Sequence, residues 1–489
     1  MYLGIDVGTS GVKGVLTDEG GAVVASHTEG LDMQTPRPGW CEQHPDAWWD
    51  AVGATVAALH AADRRTGEVR ALGLSGQMHG AVCLDADDRP LRPAILWNDT
   101  RSHAEADRLA EVPGIEEECG VRPMPGFTAT KLMWLAAHEP QVHGAIARVV
   151  TPKDHVRLRL TGEAAMEMSD AGGTCWLDQR AREWSPRLCE ASDTDPAWLP
   201  PLLEGTAPAG RLTAGAAETL GLARGTPVAA GGGDAAAGAV GIGAVAPGDA
   251  FISLGTSGQL FAVTQGYRAA PGTLVHAFAH CLPPDTGGGW FHMAALLNGA
   301  SPLAWWARAC GAEVGTLLAE AEERDATSVL FLPYLTGERT PLNDSHIRGA
   351  FYGLAHDTDR AGMTRAVLEG VAYSCALARD AMASAGTELA RVGAIGGGAR
   401  SDLFLQVIAD ALDVTIERYA GAEAGAALGA ARLAMMADGA SVADVALKPE
   451  VESVFEPRAA EGERHGARRA RFRRLYEALK PEAEGLMEW

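Results

Sequence analysis

Two stretches of the chain share one pattern of apolar and polar positions. Gly4–Leu16 reads GIDVGTSGVKGVL, and Ile252–Val263 reads ISLGTSGQLFAV. In each, an apolar run meets a Gly-Thr-Ser-Gly turn and a second apolar run follows. Apolar runs bounded by turn residues predict the two strands of a hairpin. A Gly-Thr-Ser turn can offer backbone N–H groups and two hydroxyls to a phosphate. One such turn is a weak signal. Two, each opening about half of the chain, predict two similar domains that hold a nucleotide's phosphates from both sides.

The periodicity then runs in a similar order through both halves. In the first, a strand over Gly21–Thr28 precedes a helix over Asp46–Ala61, with Trp48, Trp49, Val52, Val56 and Leu59 at helical spacing. Val69–Leu74 predicts a buried strand that runs into Ser75-Gly76-Gln77-Met78-His79-Gly80, and Ala94–Leu96 runs into Trp97-Asn98-Asp99-Thr100-Arg101. Ligands collect at strand C-termini in α/β sheets, so both polar clusters are site candidates. Ser169–Thr174 reads as a polar, Gly-rich loop that could line a cleft. In the second half, helices are predicted over Ala300–Cys310 and Arg360–Ser384, with the charged loop Gly337–Pro341 between them. The strand Val392–Ile395 ends in Gly396-Gly397-Gly398-Ala399-Arg400-Ser401, mirroring Val69–Gly76. Ala422–Met436 predicts an Ala-rich helix. Pro247-Gly248 is a turn signal where the halves divide. The expected organisation is residues 1–246, residues 247–440, and a tail, 441–489, helical near Ala467–Leu479.

Asp234 stands out within VAAGGGDAAAGAVG (Val228–Gly241). Three glycines before it allow close approach of a ligand. The Gly/Ala run after it suits a helix packed tightly on a strand. An acid opening that helix would face a bound substrate at the helix's positive end. An ordinary N-cap aspartate reads the same way; the paired turns favour the site.

Composition narrows the picture. The chain has 489 residues, enough for two or three domains with large cores. A net charge of −22 argues against a nucleic-acid or membrane-surface binder. The Arg-rich run Arg464–Arg474 reads as a solvated helix face. Thr226–Ala246 is long and apolar but Gly/Ala-rich and carries Asp234 mid-run, so no membrane span is expected. The chain opens on a strand without a basic leader, and its eight cysteines lack CxxC spacing, so a cytoplasmic protein with reduced thiols is expected. There is no P-loop and no GxGxxG after the first strand. His276, His280, Cys281 and His292 look like metal ligands on paper. His276 and His280, four apart on a strand, would stand ~13 Å apart, too far to share one zinc.

Together, GIDVGTSGVK, LGLSGQMHG, PAILWNDTR, MSDAGGT, VAAGGGDAAAGAVG, SLGTSG, FLPYLTGERTP and IGGGARS resemble the FGGY carbohydrate kinases over nearly the whole chain. The resemblance implies an α/β fold of two similar actin-like (ribonuclease H-like) ATPase domains around a central cleft. It implies ATP and Mg²⁺ as cofactors and a sugar as phosphoryl acceptor. Asp234 resembles the family's catalytic base, and Asp6 the residue at the Mg–phosphate site. Met78 and His79 resemble the pentulose contact, with Gln77 and Asn98 beside them; Gln-Met-His is the argument for D-xylulose. Gly8-Thr9-Ser10 with Lys13, and Gly255-Thr256, resemble the phosphate loops. Gly397, Gly398 and Arg400 lie in the segment resembling the adenosine motif. Relatives are often dimers, and a homodimer is the expectation this raises. A kinase for another ketose or polyol, or a non-catalytic actin-like switch, remains open at this point.

Overall fold

The structure is a computed structural model that describes residues 1–324, 327–421 and 425–483. The first half carries β1 (Tyr2–Val7), β2 (Gly11–Thr17), β3 (Val23–Gly30), β4 (Ala71–Gly76), β5 (Pro208–Arg211) and β6 (Pro227–Ala229), ordered β5-β6-β4-β1-β2-β3, with β7 (Gly232–Gly233) paired to β4. The second carries β8 (Ala250–Leu254), β9 (Gly258–Thr264), β10 (His276–Ala279), β11 (Trp290–Leu296), β12 (Arg391–Ile395), β13 (Thr415–Tyr419) and β14 (Val451–Phe455), ordered β10-β11-β9-β8-β12-β13-β14.

The repeated sequence is a repeated topology. β1 and β2 pair antiparallel from Tyr2↔Thr17 to Val7↔Val12, and β1 lies parallel to β4. β8 and β9 pair antiparallel from Ala250↔Ala262 to Leu254↔Gly258, and β8 lies parallel to β12. In a parallel pair both C-terminal ends face the same way. Each Gly-Thr-Ser turn therefore emerges beside the polar loop that follows its parallel neighbour.

Helix α1 (Pro45–Ala62) buries Trp48, Val52, Val56 and Leu59 in the first core. Helices α2 (Pro152–Thr161), α3 (Met168–Gly172) and α4 (Asp234–Gly241) complete what the site needs from that half. Helix α5 (Arg360–Ser384) lies in the core of the second. Helix α6 (Gly425–Ala437) comes late in the chain yet packs on β1 and β4. Gly4 and Gly73, register partners in those strands, make this possible: a Cβ on Gly4 would lie 2.0 Å from the Ala427 carbonyl oxygen, and one on Gly73 1.9 Å from that of Ala430. Bare backbone on the strands admits the helix. The predicted start of this helix at Ala422–Ala424 lies outside the described residues.

Two sequence expectations change. Ser169–Thr174 is not a loop lining a cleft; Met168–Gly172 is a buried helix, started where the Glu167 carboxylate accepts the Ser169 and Asp170 N–H groups. The Arg-rich run is not simply solvated. It lies in α7 (Ala459–Ala483), where Arg464 and Arg468 each donate at 2.9 Å to the buried Glu369 carboxylate, while Phe472 is buried. A like-signed run hides two inward-facing charges because its acidic partner sits far away in sequence. All eight cysteines are free. Among the described residues, no helix is long and apolar enough to cross a membrane.

Candidate active site

A cavity of about 140 Å³ is lined from both halves. The end of β1 supplies Asp6 and the β1–β2 turn Gly8 and Thr9; the loop after β4 supplies Gln77, Met78 and His79; Asp234 opens from α4. The β8–β9 turn faces them with Ser257, Gly258 and Gln259. The two related turns thus meet across one space.

β7 explains how Asp234 reaches it. Gly232 and Gly233 pair with Ser75 and Gly76 of β4, so the next residue arrives beside Gln77-Met78-His79. Asp234 is the first residue of α4, and its Oδ1 accepts the Ala235 N–H at 2.8 Å. Burial, and then the charge of Asp6, push its carboxyl up to about 7; the Ala235 N–H opposes them. Burial likewise raises Asp6, against the neighbouring Ser75 side chain and then the pull of Lys13, its register partner across the hairpin. Asp6 Oδ1 is buried with no hydrogen-bond partner among the described residues. An orphaned carboxylate oxygen and a second carboxylate that feels its charge fit a small divalent cation. Mg²⁺ takes one or two carboxylates and completes its shell with phosphate oxygens and water.

His79 is held in an uncommon backbone conformation, φ 68°. The Thr128 hydroxyl and Lys131 Nζ both donate to its carbonyl, at 3.0 and 2.8 Å. Its Nδ1 lies 2.6 Å from the Gly173 carbonyl. Because a carbonyl only accepts, Nδ1 carries the proton and Nε2 is left as an acceptor. Burial holds the ring neutral, well below the ordinary histidine range. The residue can therefore accept from a hydroxyl. Met78, 4% exposed, packs beside it against Gly233.

Gln77 has a different task from its neighbours. Its Oε1 accepts the Thr9 hydroxyl at 3.0 Å, and its Nε2 donates to Gln43 Oε1 at 3.1 Å. Gln43 in turn donates to the Thr9 carbonyl at 2.7 Å. Both amides brace the first turn. Trp97 Nε1 completes the brace, donating to Thr9 Oγ1 at 2.9 Å. It is Trp97 that lines the cavity; the Asn98 amide is directed to the Met33 sulfur, 3.5 Å away.

A second cavity, about 570 Å³, lies between β2–β3 and β12–β13 and is lined by Lys13, Ser26, Gly396, Ala399, Arg400 and Tyr419 among others. Gly396, at φ 89°, and Gly398 lie against Leu254 and Gly255, so the Gly-Gly-Gly turn rests on the second Gly-Thr-Ser turn. The Gly255 carbonyl accepts the Ala300 N–H at 2.6 Å, fixing that turn from the other side. Ser10, Thr256 and Gly397 are exposed at the rims.

Among the lining residues that the sequence does not single out for the site are Trp97, His276 and Arg339. Trp97 stands one residue before the polar one that attracted attention. His276 was weighed only as a metal ligand. On β10 it lies buried beside Phe127 and Phe278, and both ring nitrogens lack a partner among the described residues. Burial lowers it to about 3, so it is neutral. Arg339, in the charged loop after Gly337, donates to the Trp97 carbonyl at 3.0 Å and lies over its ring, 5.1 Å from the centroid. This contact joins the halves across the cavity mouth. A strand followed by a charged loop was the available signal for it.

The comparisons agree with this architecture. Residues 1–241 match the N-terminal domain, and residues 250–437 the C-terminal domain, of the FGGY family of carbohydrate kinases. The xylulose kinase of Escherichia coli (strain K12) is 45% identical over 98% of this chain and 99% of its own length. The crystal structure of a xyloylose kinase from Brucella ovis superposes with a TM-score of 0.92 at 45% identity, covering 98% of this chain and 99% of that one. A gluconate kinase from Lactobacillus acidophilus superposes at 0.91 with 25% identity, covering 99% of each. With both domain types matched in order and a relative aligned from end to end, the chain belongs to the FGGY family of carbohydrate kinases.

Proposed function

We propose that the protein transfers the γ-phosphoryl group of ATP to the terminal hydroxyl of D-xylulose, giving D-xylulose 5-phosphate and ADP. The observation that carries this reading is Asp234: a half-buried carboxyl raised to about 7, opening into a cavity between two phosphate-type turns and beside a neutral, accepting histidine. A general base works best when its pKa lies near the working pH. Asp234 takes the hydroxyl proton as the sugar oxygen attacks phosphorus and ADP departs. His79 Nε2 and Met78 orient the sugar. With the Gly8 N–H held by the Gly11 carbonyl at 3.0 Å, the Thr9–Ser10 and Gly255–Thr256 segments of the turns direct N–H groups at the phosphates, while Lys13, Gly397, Gly398 and Arg400 border the nucleotide. Such fixed donors carry much of the catalysis of phosphoryl transfer, and they must act locally because the chain's net charge of −22 repels ATP. Asp6 would hold Mg²⁺, which when bound neutralises phosphate charge.

The similarity to xylulose kinases at 45% identity supports the sugar. The superposition of a gluconate kinase at a TM-score of 0.91 and 25% identity keeps a second reading, the same transfer to another polyhydroxy substrate. Asp234→Ala tests the mechanism: turnover should fall roughly 10²–10⁴-fold while D-xylulose still binds calorimetrically. Unchanged turnover would remove Asp234 from the reaction.

A further inference from the structure

Glu167 to Asp170 lie outside the lining of the cavity, yet they reach it through one backbone group. The Gly233 N–H, directly before Asp234, donates to Glu167 Oε1 and to Ser169 Oγ, each at 3.0 Å. The Ser169 hydroxyl itself donates to Glu167, at 2.8 Å to Oε1 and 2.9 Å to Oε2. Ser169 N–H and Asp170 N–H bind the same carboxylate at 2.8 and 2.7 Å. On the other side of Gly233, Met78 packs so closely that a Cβ there would lie 2.8 Å from Met78 Cγ. Gly233 is therefore gripped between the sugar-side methionine and a buried carboxylate–hydroxyl pair.

The pair is itself fixed. Glu167 and Ser169 are fully buried. Lys153 Nζ stands 2.6 Å from Asp154, 3.4 Å from Asp170 and 3.9 Å from Glu167, and Arg157 lies 3.1 Å from Asp154. The Thr151 hydroxyl donates to Asp154 at 2.9 Å and lies 2.5 Å from Asp170, whose carboxyl burial pushes up to about 8, so that it holds a proton near neutrality. Burying so many ionisable groups is costly and is rarely the most stable choice for a core. A cluster of this kind is more readily explained by a geometric task.

We propose that Glu167 and Ser169 are positioning residues for the phosphoryl transfer: by holding the Gly233 N–H they set where the Asp234 carboxylate stands relative to the sugar hydroxyl. Their effect passes through Asp234, so the proposal rests on Asp234 being the base. A reacting group misplaced by about 1 Å can lose roughly 100-fold in rate, which gives a single hydrogen-bond pair this leverage. The Met-Ser-Asp-Ala-Gly-Gly-Thr stretch is thus a support beneath the site.

The test is steady-state kinetics of the full chain with D-xylulose and MgATP for Glu167→Gln, Ser169→Ala, Ser169→Thr and the double variant Glu167→Gln/Ser169→Ala, alongside thermal melts. Glu167→Gln should lower kcat roughly 10- to 100-fold while both KM values stay within about twofold. Ser169→Thr, which keeps the hydroxyl, should restore most of the loss seen in Ser169→Ala. The double variant should lose less than the product of the single losses, because both residues hold one N–H. In an Asp234→Asn background, Glu167→Gln should add no further loss. A kcat within about twofold of the parent despite a lower melting temperature, or equal losses in both backgrounds, would overturn the proposal. If Glu167→Gln does not fold, the Ser169 pair carries the test, since it leaves every charge in place. Failure of Asp234 as base would show separately, as turnover retained by Asp234→Asn itself.

Discussion

Replacing Asp234 by asparagine should stabilise the ligand-free protein while disabling it, and the gain should depend on pH. The carboxyl stands at about 7 in the folded chain against an ordinary value of 3.8. Well below pH 3.8, folded and unfolded chains both hold the proton, and the parent carries no charge penalty. Between 4 and 7 the unfolded chain releases its proton first, so the parent's stability falls as pH rises. Above 7 both are ionised and the full penalty remains. Three pKa units at about 1.36 kcal/mol each give about 4 kcal/mol, a ceiling because the carboxylate opens onto a cavity that admits water. An unfolding entropy of about 2.1 cal/mol/K per residue, taken over the 489 residues, is about 1 kcal/mol/K. The melting-temperature advantage of Asp234→Asn should therefore grow by up to about 3 °C between pH 5 and pH 8. Differential scanning calorimetry without nucleotide, sugar or Mg²⁺ reads this directly. An advantage that is flat across that range, or a parent more stable at pH 8, would refute the assignment of an unfavourable buried charge at Asp234.

Other predictions follow from named contacts. Gly73→Ala places a Cβ 1.9 Å from the Ala430 carbonyl; forcing α6 off the sheet should cost about 1–3 kcal/mol, seen as a lower melting temperature, and an unchanged melt would contradict the close packing. His276→Phe keeps the aromatic contacts but removes both free ring nitrogens; the KM for sugar should rise about 3- to 10-fold, one hydrogen bond's worth, with the KM for ATP unaltered. An unaltered sugar KM would show that His276 does not touch the substrate. Trp97→Phe removes the N–H that steadies Thr9; the KM for ATP should rise, and an unchanged value would show that the Gln77–Gln43 brace suffices.

Much of the framework was legible because it rests on local pattern. The paired Gly-Thr-Ser turns, the strand before Gln77-Met78-His79 and the small-residue helix after Asp234 are all short-range signals, and the structure brings them to one cavity. What stayed hidden depends on distant partners. Gln77 and Asn98 look alike in sequence; only Thr9, Gln43 and Met33 reveal that one amide braces a turn and the other points away. Arg464 and Arg468 read as surface charges until Glu369 is seen beneath them. Ser169–Thr174 has a loop's composition, and its helix forms because Glu167 receives the first N–H groups. His276 gives no signal on a strand of its own; its place in the cavity lining, beside Phe127 and Phe278, shows only once the sheet is formed.

The central claim is transfer of phosphate to D-xylulose. Its most direct test is ADP release from MgATP with D-xylulose, L-xylulose, D-ribulose, L-ribulose and glycerol, against a blank without sugar. The account predicts strong stimulation by D-xylulose above the other four. Preference for another member would leave the kinase standing and contradict the role given to Met78 and His79. No stimulation by any of them would contradict the account.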